Sequence, residues 1–457
     1  MTSGATFPGG IDGRATGVLL HPSSLPGPGA TGRLDANAYR FVDWLADAGF
    51  RVWQMLPTGP VDNHDSPYQP PSTFAGDTRL IDPDGPTGLA SLSEFRAHNA
   101  GWLDDWALFA TLREHLDRPW PQWPPGLRDR DPAALDQARR DHAAAIEAEV
   151  RAQCRFDYQW RALREYAHAR GVRLFGDLPI YCAHDSADAW AARHLFALDS
   201  TGRITGEAGV PPDAFSDLGQ HWGQPLHDWV AHAQDGWRWW IARLRVLTER
   251  FDLLRIDHFR GFEAAWSIPP EAADAREGHW IEGPGRAPFD AIAEVLGQLP
   301  LVAEDLGTIT EAVHVLRETL GLPGMRVLQF AFDGGPDNPH RTEHHPEWSV
   351  AYTGTHDNNT LLGWWQAADD DLRTRAADAL GAPLEHMPAP AIDAVLHSRA
   401  RLAVLPLQDV LGLDAEARMN IPGRPEGNWR WRLDPRALQA APPETWRHRL
   451  AAASRLA

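Results

Sequence analysis

Eight short apolar runs recur along the chain, each closed by a polar residue, a proline or a glycine, and they limit its architecture more than any other feature. They occupy residues 17–21, 52–56, 172–177, 253–257, 301–304, 326–330, 349–352 and 403–407. Nearly continuous apolar runs of this length suit parallel strands buried on both faces, whereas a half-exposed strand would alternate. Most are separated by stretches long enough for a crossover helix, and eight such units predict an α/β chain folded as a (β/α)8 TIM barrel. A doubly wound sheet is the competing arrangement. Residues 37–48 set Tyr39, Phe41, Val42, Trp44 and Leu45 on one broad face ahead of Gly49, which reads as a helix with a glycine stop. Two intervals exceed a simple crossover. Residues 58–171 after strand 2 and 179–252 after strand 3 are expected as largely helical and loop insertions within a single catalytic barrel spanning 1–457. Helix is expected over 93–116 and 132–170, and a turn-rich segment over 207–225.

Bulk properties narrow the function classes. A net charge of −19 argues against nucleic acid, since phosphate binding needs clustered lysine and arginine. Cys154 and Cys182 offer no disulfide framework and no metal spacing, as in a reducing compartment. The opening MTSGATFPGG has neither a basic region nor an apolar core, so no secretory signal is expected, and no run approaches the roughly 18 apolar residues that span a bilayer. A soluble cytoplasmic monomer without cofactor is the expectation. Tryptophan is abundant, with 21 copies against 6 tyrosines. Core filling is one explanation; the other is sugar binding, because flat indole faces stack on pyranose rings and Nε1–H donates to hydroxyls. Trp222 in GQHWGQP and Trp429 in EGNWRWRL, both in polar, loop-like sequence, favour the second.

Carboxylates close several of the expected strands. Asp177 ends RLFGDLP, Asp257 ends LLRIDHF, Glu304 and Asp305 end LVAEDLG, and Asp357 follows the seventh run in TGTHDNNT. A single aspartate there is ordinarily a helix N-cap. Repetition at one end of successive barrel strands gathers the acids in one cleft, where mutual repulsion and desolvation must serve metal binding or acid–base work. Metal is disfavoured: His258 and His356 adjoin the acids instead of standing at joint-ligand spacing, and no HExxH or EF-hand pattern occurs. Paired carboxylates can cleave a glycosidic bond, one attacking or activating and the other protonating the leaving oxygen. Their separation, and with it the stereochemical outcome, is not readable from spacing.

The blocks SPYQPPSTFAGD, GDLPIY, GQHWGQPL, RIDHFRG, AEDLG, GTHDNNT, PLQDVLGL, ARMNIPG and GNWRWRL together resemble the amylomaltases, the family 77 glycoside hydrolases, in family order from Gly17 to Leu433. The resemblance implies a barrel with inserted subdomains and no C-terminal β-sandwich. It also implies 4-α-glucanotransferase activity on maltooligosaccharides, amylose and related α-1,4-glucans. Under it Asp257 is the nucleophile, Glu304 the general acid and then base, and Asp357 the stabiliser holding the 2- and 3-hydroxyls at the donor subsite. Arg255 would keep Asp257 ionised, His356 would bind hydroxyls beside Asp357, and Tyr68 would stack at the donor subsite where Asp177 also binds. Gln220 and Trp222 would lie in a mobile loop on the acceptor side. The chain departs from the family pattern at His64, Cys182, Gln224 and Asn359. An α-1,4-glucan hydrolase, which shares the first chemical step, and a non-catalytic glucan-binding protein are the alternatives.

Overall fold

Eight parallel strands form the centre of the computed structural model, which describes residues 6–61, 64–212, 216–424 and 426–456. They are β1 (Ala15–Leu19), β2 (Val52–Gln54), β3 (Arg173–Pro179), β4 (Leu253–Asp257), β5 (Leu301–Ala303), β6 (Gly324–Val327), β7 (Ser349–Tyr352) and β8 (Leu402–Pro406). The ladder runs β6-β7-β8-β1-β2-β3-β4-β5. Its two edges meet where the Ala303 amide donates to the Pro323 carbonyl at 2.9 Å, so the sheet curls into a nearly closed (β/α)8 barrel. Every predicted run overlaps a strand. The sixth is displaced: it begins at Gly324 and gives way to a 3₁₀ turn over Leu328–Phe330. The Asp305 carboxylate accepts the Met325 amide at 2.7 Å, which fixes the start of the strand, and that contact is invisible in an apolar pattern.

The bore is filled by side chains. Leu19, Val52, Phe175, Leu253, Val302, Val327, Val350, Tyr352 and Val404 form one apolar cluster, with Phe7 and Ile11 packed into it. A second cluster joins the outer strand faces to the surrounding helices and the first insertion. Gly176 is required by packing, since a Cβ there would stand 2.5 Å from the Phe251 ring. The first helix spans Ala36–Ala48, capped by Asp35 accepting from the Asn37 amide and stopped at Gly49 with φ 89°, as its sequence predicts.

Between β2 and β3 the expected helices each divide in two. Leu92–His98 and Leu103–Leu116 are separated where Asn99 donates to the Phe95 carbonyl and accepts from Trp102 Nε1, both at 2.9 Å. Pro132–Asp141 and Ala143–Ala169 are separated at His142. Here the tryptophans are core: Trp120, Trp123 and Trp160 are buried, and Trp160 Nε1 bonds the Arg250 carbonyl at 3.0 Å. The segment read as turn-rich contains a strand pair, Glu207–Val210 with Gln220–Pro225. It continues into Ala264–Ile268 and His279–Glu282, an excursion following β4, making a four-stranded antiparallel sheet with Gln220–Pro225 at one edge. Gln220–Pro225 and His279–Glu282 carry few apolar residues and lack the signature of the barrel, whereas Ala264–Ile268 is apolar and falls outside the eight runs read as strands. After β8 the described residues form helices and turns, with no strand.

Candidate active site

Strand geometry puts alternate residues on one face, so β4 turns both Arg255 and Asp257 into the cleft. Register sets Asp177 of β3 beside Arg255, and Pro179 beside Asp257. The guanidinium spans two acids: Nη1 donates to Asp177 Oδ2 and Nη2 to Asp257 Oδ1, each at 2.5 Å. Tyr68, on the segment leaving β2, donates its hydroxyl to the same Asp177 oxygen at 2.8 Å. Burial opposes charge on Arg255, but Asp177 and Asp257 outweigh it and hold the guanidinium well above its ordinary value. Burial pushes Asp177 up to about 7, with the charge of Asp257 adding and Arg255 pulling the other way. Asp257 retains access to solvent, with 28% of its side chain exposed, whereas Arg255 and Asp177 are enclosed.

Glu304 follows β5, whose Ala303 is in register with Ile256, and so stands beside Asp257. Its Oε2 accepts the His258 amide at 2.7 Å and its Oε1 accepts the Leu306 amide at 3.0 Å. His258 adopts φ 52°, a left-handed turn just after the strand. Although Glu304 is half-buried by surface, loss of solvation in the cleft pushes its carboxyl up to about 8. The charge of Asp257 adds to this, against Arg255 and the two amides. The two neighbouring carboxyls thus differ in environment: one faces a guanidinium, the other is desolvated.

Beyond β7, the turn carrying His356 and Asp357 is stapled at both ends by buried Asp409, which accepts from Thr353 Oγ1 at 2.6 Å and from the Leu361 amide at 2.7 Å. Asp357 Oδ1 accepts from Asn420 Nδ2 at 2.6 Å, and its carbonyl accepts from Arg418 at the same distance. His356 Nε2 lies 3.4 Å from Asp357 Oδ1, and burial lowers the affinity of the ring for a proton. Tyr68 stacks on His356 with centroids 5.1 Å apart and planes 12° apart, and Trp429 leans on both rings. On the opposite wall Trp222 meets His258 edge-on at 4.9 Å and donates to Gln220 Oε1 at 3.3 Å. Gln220 and Trp222 belong to a paired strand, not to a free loop, because Glu207–Val210 supplies the ladder partner.

All nine predicted site residues are therefore linked by direct contact or strand register around one cleft. Asn420, Arg418, Asp409, Gln69 and Gln224 also support it and were not predicted. All five lie within the quoted blocks ARMNIPG, PLQDVLGL, SPYQPPSTFAGD and GQHWGQPL, and Gln224 was noted as a departure from the family, but nothing in residue type or spacing pointed to their partners. Among the described residues, no group of three or more histidine, cysteine, aspartate or glutamate side chains could hold a metal ion. No helix among them is long and apolar enough to cross a membrane.

A family model described as 4-alpha-glucanotransferase matches residues 20–88 and 86–438. The chain belongs to the 4-alpha-glucanotransferase family. It is 44% identical to the 4-alpha-glucanotransferase of Thermus thermophilus, over 93% of this chain and 96% of that one. It is 38% identical to the chloroplastic/amyloplastic 4-alpha-glucanotransferase of Solanum tuberosum, over 92% and 82% respectively. Among solved structures it superimposes with TM-score 0.92 on the amylomaltase from Streptococcus agalactiae in complex with acarbose, at 31% identity over 97% of this chain and all of that one. As a 4-alpha-glucanotransferase family member, the chain is a transferase of the glycosyl class.

Proposed function

We propose that the enzyme transfers a segment of an α-1,4-glucan to the 4-hydroxyl of an acceptor glucan or glucose by a retaining double displacement. The observation that carries this reading is the unequal pair: Asp257 stands against a guanidinium at 2.5 Å, while its neighbour Glu304 is pushed up to about 8. A charge-compensated carboxylate suits a nucleophile, and a desolvated carboxylic acid suits a proton donor. In the first step Asp257 Oδ bonds to C1 as the C1–O4 bond breaks, and the Glu304 proton passes to the departing O4. In the second, ionised Glu304 takes the proton of the acceptor 4-hydroxyl as that oxygen displaces Asp257 from C1.

Asp357, oriented by Asn420 and Arg418, would hold the 2- and 3-hydroxyls of the donor sugar. Asp177 Oδ1 is buried and has no hydrogen-bond partner among the described residues, so it is available to the same sugar while Oδ2 serves Arg255 and Tyr68. Tyr68 offers a ring and His356 a hydroxyl contact beside Asp357. Gln220 and Trp222 face the acceptor. From segments 58–171 and 179–252, read as insertions, the stretches carrying Tyr68 and Trp222 border the cleft and would limit water. The relative from Streptococcus agalactiae was solved with acarbose, which supports an oligosaccharide as occupant.

Trapping tests the reading. The Glu304→Gln variant should still be loaded by α-maltotriosyl fluoride, whose leaving group needs no acid, and then deacylate slowly. Intact mass should rise by one maltotriosyl group, and peptide mapping should place it on Asp257. An adduct on another residue, or none under conditions where fluoride is released, contradicts the assignment.

A further inference from the structure

Two glutamines cross between the walls of the cleft in opposite directions. Gln69, next to Tyr68, donates its side-chain amide to the Trp222 carbonyl at 2.7 Å. Gln224, two residues beyond Trp222, donates its own to the Tyr68 carbonyl at 2.9 Å. Each carbonyl belongs to an aromatic residue of the cleft, so the exchange ties the donor-side segment to the acceptor-side strand at the residues that matter on each. Gln224 is buried, 6% exposed, so its amide has little water to fall back on.

Among the described residues, these two bonds are the hydrogen bonds that join residues 68–69 to residues 222–224. The strand Gln220–Pro225 is the edge of its sheet, and its ladder partner Glu207–Val210 lies on the side away from Tyr68. The segment before Tyr68 is anchored elsewhere, through Asp65 to Arg79 at 3.1 Å and to Arg430 at 3.3 Å. The strand matters because Trp222 bears edge-on upon His258, and the His258 amide holds Glu304.

We propose that Gln69 and Gln224 form a latch holding the Trp222 strand against the Tyr68 segment, and that this latch sets how far the glucosyl-enzyme reacts with a sugar hydroxyl in preference to water. The proposal rests on the transfer reading above. Both glutamines are positioning residues. With the latch closed, the Tyr68 stack, the Trp222 wall and the Glu304 carboxyl form one rigid unit. With either bond broken, the edge strand moves off His258, the acceptor wall loosens and water gains entry to the intermediate.

The test compares wild type with Gln69→Ala, Gln224→Ala, the isosteric Gln69→Glu and Gln224→Glu, and the double alanine variant, all on maltotriose. Transfer is read as redistribution of chain lengths, hydrolysis as new reducing ends, and thermal unfolding is followed in parallel. The isosteric variants keep the volume but replace the donor with a carboxylate facing a carbonyl, so the test survives if an alanine variant folds poorly. Each single variant should raise the hydrolysis-to-transfer ratio about threefold to tenfold, the effect of losing one hydrogen bond. Release of fluoride from α-maltotriosyl fluoride should stay within about twofold, since one weakened contact remote from C1 leaves the first step alone. Because either break opens the same latch, the double variant should fall short of the product of the singles. Transfer by wild type with an unchanged ratio in the variants, even if unfolding shifts, overturns the latch alone. Wild type yielding only new reducing ends overturns the transfer reading and the latch together.

Discussion

Glu304 is pulled in two directions. Two backbone amides, from His258 and Leu306, favour its ionised form, while desolvation and the charge of Asp257 favour the proton, and the second pair prevails with a value of about 8. The sign of the pH dependence follows. The value is raised, so the acid form needed for leaving-group protonation is present below about pH 8 and is lost as pH rises through it. Transfer from maltooligosaccharides should therefore show an alkaline limb in kcat/KM near pH 8. With Glu304→Gln and a glycosyl fluoride donor, loading of the enzyme should lose that limb. A limb that persists unmoved in the variant would mean that the titration of a group other than Glu304 sets it. His258 explains why so much of this residue-level balance escapes a sequence reading. AEDLG shows where the acid lies, but the left-handed turn at His258 that aims an amide at Glu304 depends on local backbone conformation that residue type does not specify.

At the scale of elements, the barrel closes through a seam and not a full ladder. Between β5 and β6, one amide-to-carbonyl bond from Ala303 to Pro323 is reinforced by Asp305. Its fully buried carboxylate accepts the Met325 amide and lies 3.4 Å from Arg326 Nη1 and 3.6 Å from Arg317 Nε. Adjacent acids in AEDLG thus divide their work, Glu304 at the cleft and Asp305 in the wall. Removing one partner of a buried ionic cluster strands the others, so Asp305→Ala should lower stability by about 3–5 kcal/mol. Thermal and denaturant unfolding would measure it, and a transition within error of wild type would show that the seam is held by something else. The strands were legible because apolar runs buried on both faces announce themselves, and all eight began within two residues of expectation. The helices of the first insertion were legible as helix but not as pairs, since the breaks at Asn99 and His142 involve residues a helix tolerates. The four-stranded sheet was not legible, because Gln220–Pro225 and His279–Glu282 are too polar to stand out from turns and the apolar Ala264–Ile268 has no alternation to mark an antiparallel partner.

At the scale of the whole molecule, the tryptophans divide by place. Those between β2 and β3 are mostly core, and those named from their polar neighbours, Trp222 and Trp429, lie at the cleft. Core filling accounts for the first group, and the second stands where sugar stacking would need it. The carboxylates were legible as a set because strand ends converge by topology, and the other site residues only through the family resemblance; their supports were not legible. Asn420 reaches Asp357 across 63 positions of sequence and Gln69 reaches Trp222 across 153, distances at which one sequence without its fold carries no pairing signal. Under the proposed double displacement, what the whole cleft does is decided by the fate of the glucosyl-enzyme, and incubating the wild-type chain with maltotriose as sole substrate reads this directly. The account predicts free glucose together with a ladder of shorter and longer maltooligosaccharides at an almost constant number of reducing ends. A steady rise in reducing ends, with glucose and maltose as the only products, would contradict it.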